Sequence, residues 1–338
     1  FVQAAFQNEV PEDFFTIPTD TAGILDLETI ATAALDETND TWGVTIMSVQ
    51  ANIPNTLPGQ NVTFVLMGDT EVENAVAAED AFQPSDGIDV TIASPSGANI
   101  RTGPGVNFNV LGGAQPDSAL KADGQSEDGE WLRVAYRDRV AWVSKSVLAE
   151  DAAINDLPVL SPELRTSMQA FYLRTGIGET TCEESPEDIL VVQGPDNIDI
   201  ELNVNGANVE IGSTVGFRVL YRNGIPYLEM IVFSGRGKVN GVTVLPGYHT
   251  LMCLGEEESR GLDGDSNDLI VTCDPSTPEP IENFGDQWCY LEQLPLSILN
   301  YQIEILCPGE TPPPPPPPTG GSASNSQLPD VDCSTFTL

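Results

Sequence analysis

The chain has 338 residues and a formal net charge of −38 at pH 7, from 51 acidic and 13 basic residues. A field of that sign repels nucleic acid and anionic membrane surfaces, which excludes both as partners, and it attracts divalent cations. The length predicts two to four domains.

The cysteines indicate an oxidising compartment. None lies in a C-x-x-C pair, so zinc-ribbon and redox motifs are excluded, and an even number at wide spacings is typical of structural disulfides. The chain has no transmembrane run and no signal peptide, and it begins at Phe1 rather than Met, which we interpret as a mature N-terminus left by cleavage. We therefore expect a secreted protein, extracellular or on the cell surface. The six cysteines are Cys182, Cys253, Cys273, Cys289, Cys307 and Cys333.

Residues 1–20 are predicted to form an N-terminal arm. Several phenylalanines lie in a segment that Pro11 and Pro18 interrupt, and leaving them exposed is costly, so the arm is expected to dock in cis or in trans. We expect it to complete a sheet edge of a neighbouring copy by strand addition. The predicted assembly anchors are Phe1, Val2, Phe6, Phe14 and Phe15.

A short amphipathic helix is predicted over residues 24–35, because Leu27, Ile30, Ala31 and Ala34 recur at helical spacing. Beyond it, Trp42–Ile53 and Val62–Val76 alternate as strands do, but two strands cannot fold alone.

The strand Met168–Arg174 has no partner nearby in sequence. We expect it to complete the sheet that begins at Trp42. Residues 21–84 together with 150–182 would then form one discontinuous, β-sandwich-like domain. The segment between them would be an insertion carried on exposed loops.

Residues 85–149 contain the most informative motifs. A turn sequence with proline to fix φ and glycines to supply positive φ precedes two alternating strands. These motifs are Asn99-Ile100-Arg101-Thr102-Gly103-Pro104-Gly105, Trp131-Leu132-Arg133-Val134 and Val140-Ala141-Trp142-Val143. Together they resemble the bacterial SH3-like domain in its N-x-R-x-G-P-G … W-x-x-V … G-W-V form, with Ala141 in place of the usual glycine.

This resemblance implies a small inserted β-barrel of a family found mostly on exported proteins, where it often binds cell-wall or peptide ligands. Trp131 and Trp142 are the candidate ligand-binding residues, and in this type of barrel they are as readily core residues.

Residues 183–255 form a run of short predicted strands. Asn205-Gly206, Asn223-Gly224 and Asn240-Gly241 separate them as hairpin turns. With Met230–Val239 and Leu245-Pro246-Gly247, the segment resembles the FecR-like domain, which implies an all-β extracytoplasmic interaction domain without enzymatic activity. The order of these parts also resembles uncharacterised exported proteins of filamentous bacteria.

Residues 256–310 are rich in cysteine and acidic side chains and predict loops. Within them, Asp263, Asp265, Asn267 and Asp268 place oxygen ligands as the calcium loop of an EF-hand does. A plain acidic turn is the alternative, because Asp268 replaces the sharp-turn glycine and no helix precedes the loop. Since Cys253 and Cys273 flank the loop, we favour a bridge between them; other pairings stay open.

Residues 311–338 form a proline-rich spacer and tail. Pro312–Pro318 is an uninterrupted proline run, which predicts an extended, stiff polyproline II spacer. The alternative is a ligand for the groove of a partner.

Motifs of catalysis are not found in the sequence. It has one histidine, His249, on a predicted strand, and no serine elbow, H-E-x-x-H or phosphate loop. We therefore predict an all-β, multidomain protein that is not an enzyme and needs no cofactor besides a candidate Ca²⁺.

Three functions remain. The first is a secreted structural subunit of an extracellular filament or sheath, a homo-polymer joined through terminal arms and β-edges. The alternative is a cell-surface protein that holds cell-wall glycan or peptide with its SH3-like barrel. The third is an enzyme with an unrecognised site.

Overall fold

The computed structural model describes the backbone of residues 2–6 and, in full, residues 27–36, 41–49, 60–77, 80–82, 85–137, 139–161, 165–176, 187–196, 198–256, 269–297, 299–303 and 305. Within these ranges the chain forms three β-sheets and one short α-helix, so the predicted all-β class is confirmed.

The described strands fall into three groups along the chain. Five come first: β1 (Val2–Phe6), β2 (Leu27–Thr32), β3 (Val44–Val49), β4 (Val62–Met67) and β5 (Thr70–Asn74). Seven belong to an insertion: β6 (Ile88–Thr91), β7 (Ala98–Arg101), β8 (Val110–Ala114), β9 (Ala119–Ser126), β10 (Trp131–Tyr136), β11 (Arg139–Ser144) and β12 (Val159–Leu160). The others are β13 (Ala170–Thr175), β14 (Ile189–Gln193), β15 (Ile200–Val204), β16 (Ala207–Ile211), β17 (Thr214–Arg222), β18 (Ile225–Ser234), β19 (Gly237–Val239), β20 (Val242–Val244), β21 (Tyr248–Glu256), β22 (Leu269–Val271) and β23 (Glu279–Pro280).

Helical structure in the described residues is confined to short segments. The α-helix α1 spans Phe284–Trp288, and 3₁₀ helices span Lys145–Val147, Ala152–Asp156 and Cys289–Gln293. No helix in these parts of the chain is both long and apolar enough to span a bilayer.

Two eight-stranded sheets form a sandwich, which we call the body. One sheet runs β1-β2-β5-β13-β15-β16-β19-β20; the other runs β22-β21-β18-β17-β14-β4-β3, with β23 beside β21. Buried side chains of both sheets make one core, in which the Phe64 and Phe171 rings meet edge to face with centroids 5.6 Å apart.

This shared core corrects the predicted division into two β-domains. β4 pairs with β14, and β13 pairs with β5 on one side and β15 on the other. The strands assigned to 21–84 with 150–182 and to 183–255 therefore build the same two sheets.

The predicted continuous strand Val62–Val76 is also corrected. The chain turns at Gly68, which has φ +67, and passes from β4 in one sheet to β5 in the other. A Cβ at this position would lie 1.9 Å from the Asp188 carboxylate oxygen Oδ1. Glycine is required at this crossing both by its backbone conformation and by the space available.

The helix predicted over 24–35 is wrong where the structure describes it, because residues 27–32 form β2. The β-branched Thr29, Ile30 and Thr32 suit a strand. β2 is hydrogen-bonded to β5 and buries Leu27 and Ile30 in the core of the body. Tertiary pairing thus overrides the helical spacing of the apolar residues.

The hairpin turns predicted at three Asn-Gly pairs are confirmed. Each asparagine has φ between +45 and +53, and each following glycine has φ between +78 and +86. These turns join β15 to β16, β17 to β18 and β19 to β20. Positive φ at both central residues gives the twist that a two-residue hairpin needs.

Residues 85–161, which we call the inserted module, lie between β5 and β13. Because these two strands are hydrogen-bonded neighbours, the module leaves and rejoins the body at adjacent points. Its sheet runs β12-β9-β10-β11-β7-β8, with β6 beside β9. Ile154 and Leu157 join its core, so the module extends beyond the predicted boundary at 149.

The C-terminal described segment covers the outer face of one body sheet, although the sequence predicted loops there. Trp288, Leu291 and Ile303 pack against outward-facing residues of β4, β14 and β18. A disulfide joins Cys253 to Cys273, with Cα atoms 5.3 Å apart, and Cys289 is also disulfide-bonded.

Part of the predicted N-terminal arm is used within its own chain. The backbone of β1 pairs antiparallel with β2, so Val2 and Phe6 lie on a strand that has one partner in cis; the expected addition to a neighbouring copy stays a prediction. Phe1, Phe14 and Phe15 lie outside the described residues, as does the proline run.

Candidate ligand-binding face of the inserted module

One row of residues crosses four strands of the inserted module. In the register of the sheet, Val110 of β8 pairs with Arg101 of β7, Arg101 pairs with Trp142 of β11, and Trp142 pairs with Arg133 of β10. Neighbouring positions on these strands, such as Ile100, Ala141 and Val143, belong to the module core. Alternation therefore turns the row away from that core.

Arg101 holds the loop that follows β7. Its Nη1 donates to the carbonyl oxygens of Val106, at 3.0 Å, and Phe108, at 2.9 Å. The loop closes through the Thr102 N–H, which donates to the Asn109 carbonyl at 2.9 Å. The arginine of the sequence motif thus acts as a clamp on backbone carbonyls.

The glycines of this loop serve close packing. Neither Gly103 nor Gly105 has positive φ, contrary to the prediction. A Cβ on Gly103 would instead lie 2.4 Å from Cδ1 of Phe108, and one on Gly105 would lie 3.2 Å from Cδ2 of the same ring. The phenyl ring therefore lies directly on the glycine backbone, which fixes its position.

The loop presents three exposed apolar side chains, which we call the loop patch. Val106 is 78% exposed, Phe108 41% and Val110 52%. They alternate along five residues, and Val110 belongs to the same row as the half-buried Trp142, with Arg101 between them. A local group of this kind on an otherwise acidic protein is typical of a binding surface.

The tip of the β10–β11 hairpin lies against the same end of the module. Tyr136 donates from its hydroxyl to the Gly113 carbonyl at 3.2 Å, and its ring lies over Gly112. The guanidinium of Arg137 lies 5.0 Å from the centroid of the Tyr136 ring. Because Gly112 and Gly113 follow Val110 in β8, these contacts bring the hairpin tip, with the exposed Arg137 and Arg139, to the strand that leaves the loop patch.

The two candidate tryptophans have different surroundings. Trp131 is only 9% exposed, and its backbone N–H donates to Ser126 Oγ at 3.0 Å. In the same turn Asp128 accepts hydrogen bonds from Ser126 Oγ, at 2.6 Å, and the Glu130 N–H, at 3.0 Å, which lower the pKa of Asp128. Trp142, in contrast, is partly open to solvent beside Arg101.

The row ends in a buried ion pair on β10. Arg133 is 2% exposed, and its Nε and Nη2 donate to the two carboxylate oxygens of Asp123 at 2.8 and 3.0 Å. The paired hydrogen bonds satisfy both oxygens, which a buried carboxylate requires. This pair joins β10 to β9 at the position next to Trp142.

The other predicted sites do not meet this face. Asp263, Asp265, Asn267 and Asp268 lie outside the described residues, and the described ranges hold no cluster of three or more potential metal-binding side chains. The calcium loop therefore stays a prediction. His249 contacts the buried Glu229, which also pairs with Arg218 in the body.

Most residues of this face have no binding role predicted from the sequence. These are Val106, Phe108, Val110, Arg137 and Arg139. The available signal was the spacing of three apolar residues inside a turn-rich segment, followed by two arginines at a hairpin tip. Their closeness depends on β8 and the β10–β11 hairpin meeting in space, which no local pattern shows.

Comparison with known proteins supports the assignment of the module. Residues 96–149 match the family model of the bacterial SH3 domain. The curated proteins contain no match. Among solved structures, NlpC2 from Trichomonas vaginalis is similar at 15% identity and a TM-score of 0.18, over 37% of this chain and 48% of that one. The chain thus spans about half the length of that protein, and so low a TM-score supports no inference about function.

Proposed function

We propose that this chain is a cell-surface or exported binding protein, without catalytic activity, that uses the inserted module to hold a cell-wall or peptide ligand. The observation that carries the proposal is the loop patch, in which Val106, Phe108 and Val110 are exposed on the loop that Arg101 holds. The match of residues 96–149 to the bacterial SH3 domain supports it, because such domains are common in cell-surface and periplasmic proteins.

The geometry suits a ligand with an apolar part. Arg101 and the Phe108–glycine contact hold the loop in place before any ligand arrives. A preorganised loop loses little conformational entropy on binding, which favours affinity. Burying the valine side chains against a ligand removes apolar surface from water, at roughly 25 cal/mol per Å².

The proposal predicts that Val106→Ser with Val110→Ser weakens binding to purified, insoluble bacterial cell wall about tenfold. Both side chains are more than half exposed, so the fold should tolerate the change, and the loss comes from apolar area no longer buried on binding. Cosedimentation of the full chain with cell wall measures it.

A matched control is Tyr221→Ser with Ile225→Ser, which removes two similarly exposed apolar side chains, 62% and 50% exposed, from a hairpin of the body. This control should pellet like the wild type. Equal pelleting of the wild type, the loop-patch variant and the control would contradict the proposal, as would wild type that stays in the supernatant.

A second candidate function, self-association into a filament or sheath, is favoured by a sheet edge. Within the described residues β3 ends its sheet, and Val44 and Ile46 on it are 42% and 37% exposed, so an extended segment of another copy has a place to add. Sedimentation velocity at raised salt should show polymers that Ile46→Lys abolishes. A wild type that stays monomeric would remove this candidate.

A further inference from the structure

Basic residues are concentrated in the inserted module. Of the chain's 13 basic and 51 acidic residues, six basic and eleven acidic lie within residues 85–161, which leaves seven basic and 40 acidic side chains elsewhere. The module therefore carries a net charge of −5, whereas the rest of the chain carries −33. A basic side chain in the module therefore has fewer carboxylates on its own part of the chain to neutralise it than one in the body has.

Most cations of the body described by the structure are neutralised by carboxylates. Arg174 pairs with Glu71 and Glu73, and Arg218 with Glu187 and Glu229. Along one sheet edge, the pairs are Arg236 with Asp199 and Lys238 with Glu210. In an acidic protein this is the expected state of a basic side chain.

Arg137 and Arg139 depart from that pattern. Both are exposed, and within the described residues neither makes an ion pair; the guanidinium of Arg137 lies against the ring of Tyr136. Asp138, which stands between them in the sequence, lies outside the described residues. Two exposed guanidinium groups thus lie at the hairpin tip. Each carries a planar set of donors that matches a carboxylate in two-point fashion.

We propose that the ligand of the inserted module is a short peptide with at least two free carboxylates, which Arg137 and Arg139 bind while the loop patch takes its apolar part. This inference rests on the proposed function and names the chemical class of its ligand. Arg101, already clamped on Val106 and Phe108, adds positive charge between the two contacts.

The negative charge of the body limits the length of an anionic ligand that the inserted module can bind. A long polyanion that runs over the body meets its carboxylates, whereas a short peptide stays at the hairpin tip. Screening over about 8 Å at physiological ionic strength confines the repulsion to nearby groups. The same argument disfavours nucleic acid, which extends far beyond two arginines.

The test measures binding of soluble cell-wall peptide fragments to the full chain by isothermal titration calorimetry, with the fragments used directly and after amidation of their carboxyl groups. We expect amidation to weaken binding about tenfold, and Arg137→Gln with Arg139→Gln to weaken binding of the free-acid fragments by a similar factor. The double variant should no longer distinguish the two preparations.

Arg222→Gln is the matched control. Arg222 is an exposed arginine at the end of another two-stranded hairpin, paired in register with Ile225 as Arg139 is with Tyr136, and its loss should leave binding unchanged. If the wild type binds the free-acid and the amidated fragments equally well, the carboxylate inference is overturned. If the loop-patch variant binds neither of them, the proposed function still stands. If the wild type binds neither preparation and also does not pellet with cell wall, the carboxylate inference and the proposed function are both overturned.

Discussion

Replacing Arg133 by leucine is expected to destabilise the inserted module by about 3–5 kcal/mol, because the buried carboxylate of Asp123 loses both of its guanidinium hydrogen bonds. The remaining charge cannot reach water, since Asp123 is only 8% exposed. Amide hydrogen exchange resolved over residues 85–161 measures the loss as faster exchange of β9 and β10.

The double variant Asp123→Leu with Arg133→Leu separates charge from packing. Removing both partners leaves no buried charge, so stability should return to within about 1 kcal/mol of wild type. Exchange as fast in the double variant as in Arg133→Leu would show that the side-chain packing of Arg133, rather than its pairing, stabilises the strands.

Trp288→Ala should lower the free energy of unfolding of the body by about 3–5 kcal/mol. Trp288 is fully buried, its ring meets Phe233 edge to face with centroids 5.2 Å apart, and Arg218 lies 5.5 Å above it. The change leaves a cavity between the C-terminal segment and the outer face of the sheet. Urea unfolding followed by far-ultraviolet circular dichroism measures it.

Trp142→Ala provides the comparison for this prediction. Solvent already reaches part of Trp142, so its truncation should cost clearly less than that of Trp288. A loss in Trp288→Ala as small as that in Trp142→Ala would mean that the C-terminal segment does little to stabilise the sheet it covers.

Local sequence patterns predicted the hairpin turns and the inserted module, because these depend on residues that are close together in the sequence. The three Asn-Gly pairs form hairpins because both central residues must adopt positive φ, a property that the two residue types carry with them. The motif from Asn99 to Val143 likewise marked the module, since a family match covers most of it.

Long-range pairing decided what the sequence analysis missed. Nothing near Thr70 shows that β5 leaves the sheet of β4 to pair with β13, which follows about a hundred residues later. The helical spacing around Ile30 was overridden by the same strand, to which β2 is hydrogen-bonded. The candidate face also depends on a long-range contact, because the β10–β11 hairpin meets β8 through the Tyr136 hydroxyl and the Gly113 carbonyl.

Hydrogen exchange of the full chain, with and without soluble cell-wall peptide fragments, tests the central claim most directly. Binding at the loop patch and hairpin tip should slow exchange in two separate stretches, residues 101–112 and residues 136–142, and leave the sheets of the body unchanged. Protection confined to the body, or no protection anywhere at saturating fragment, would contradict a ligand site on the inserted module.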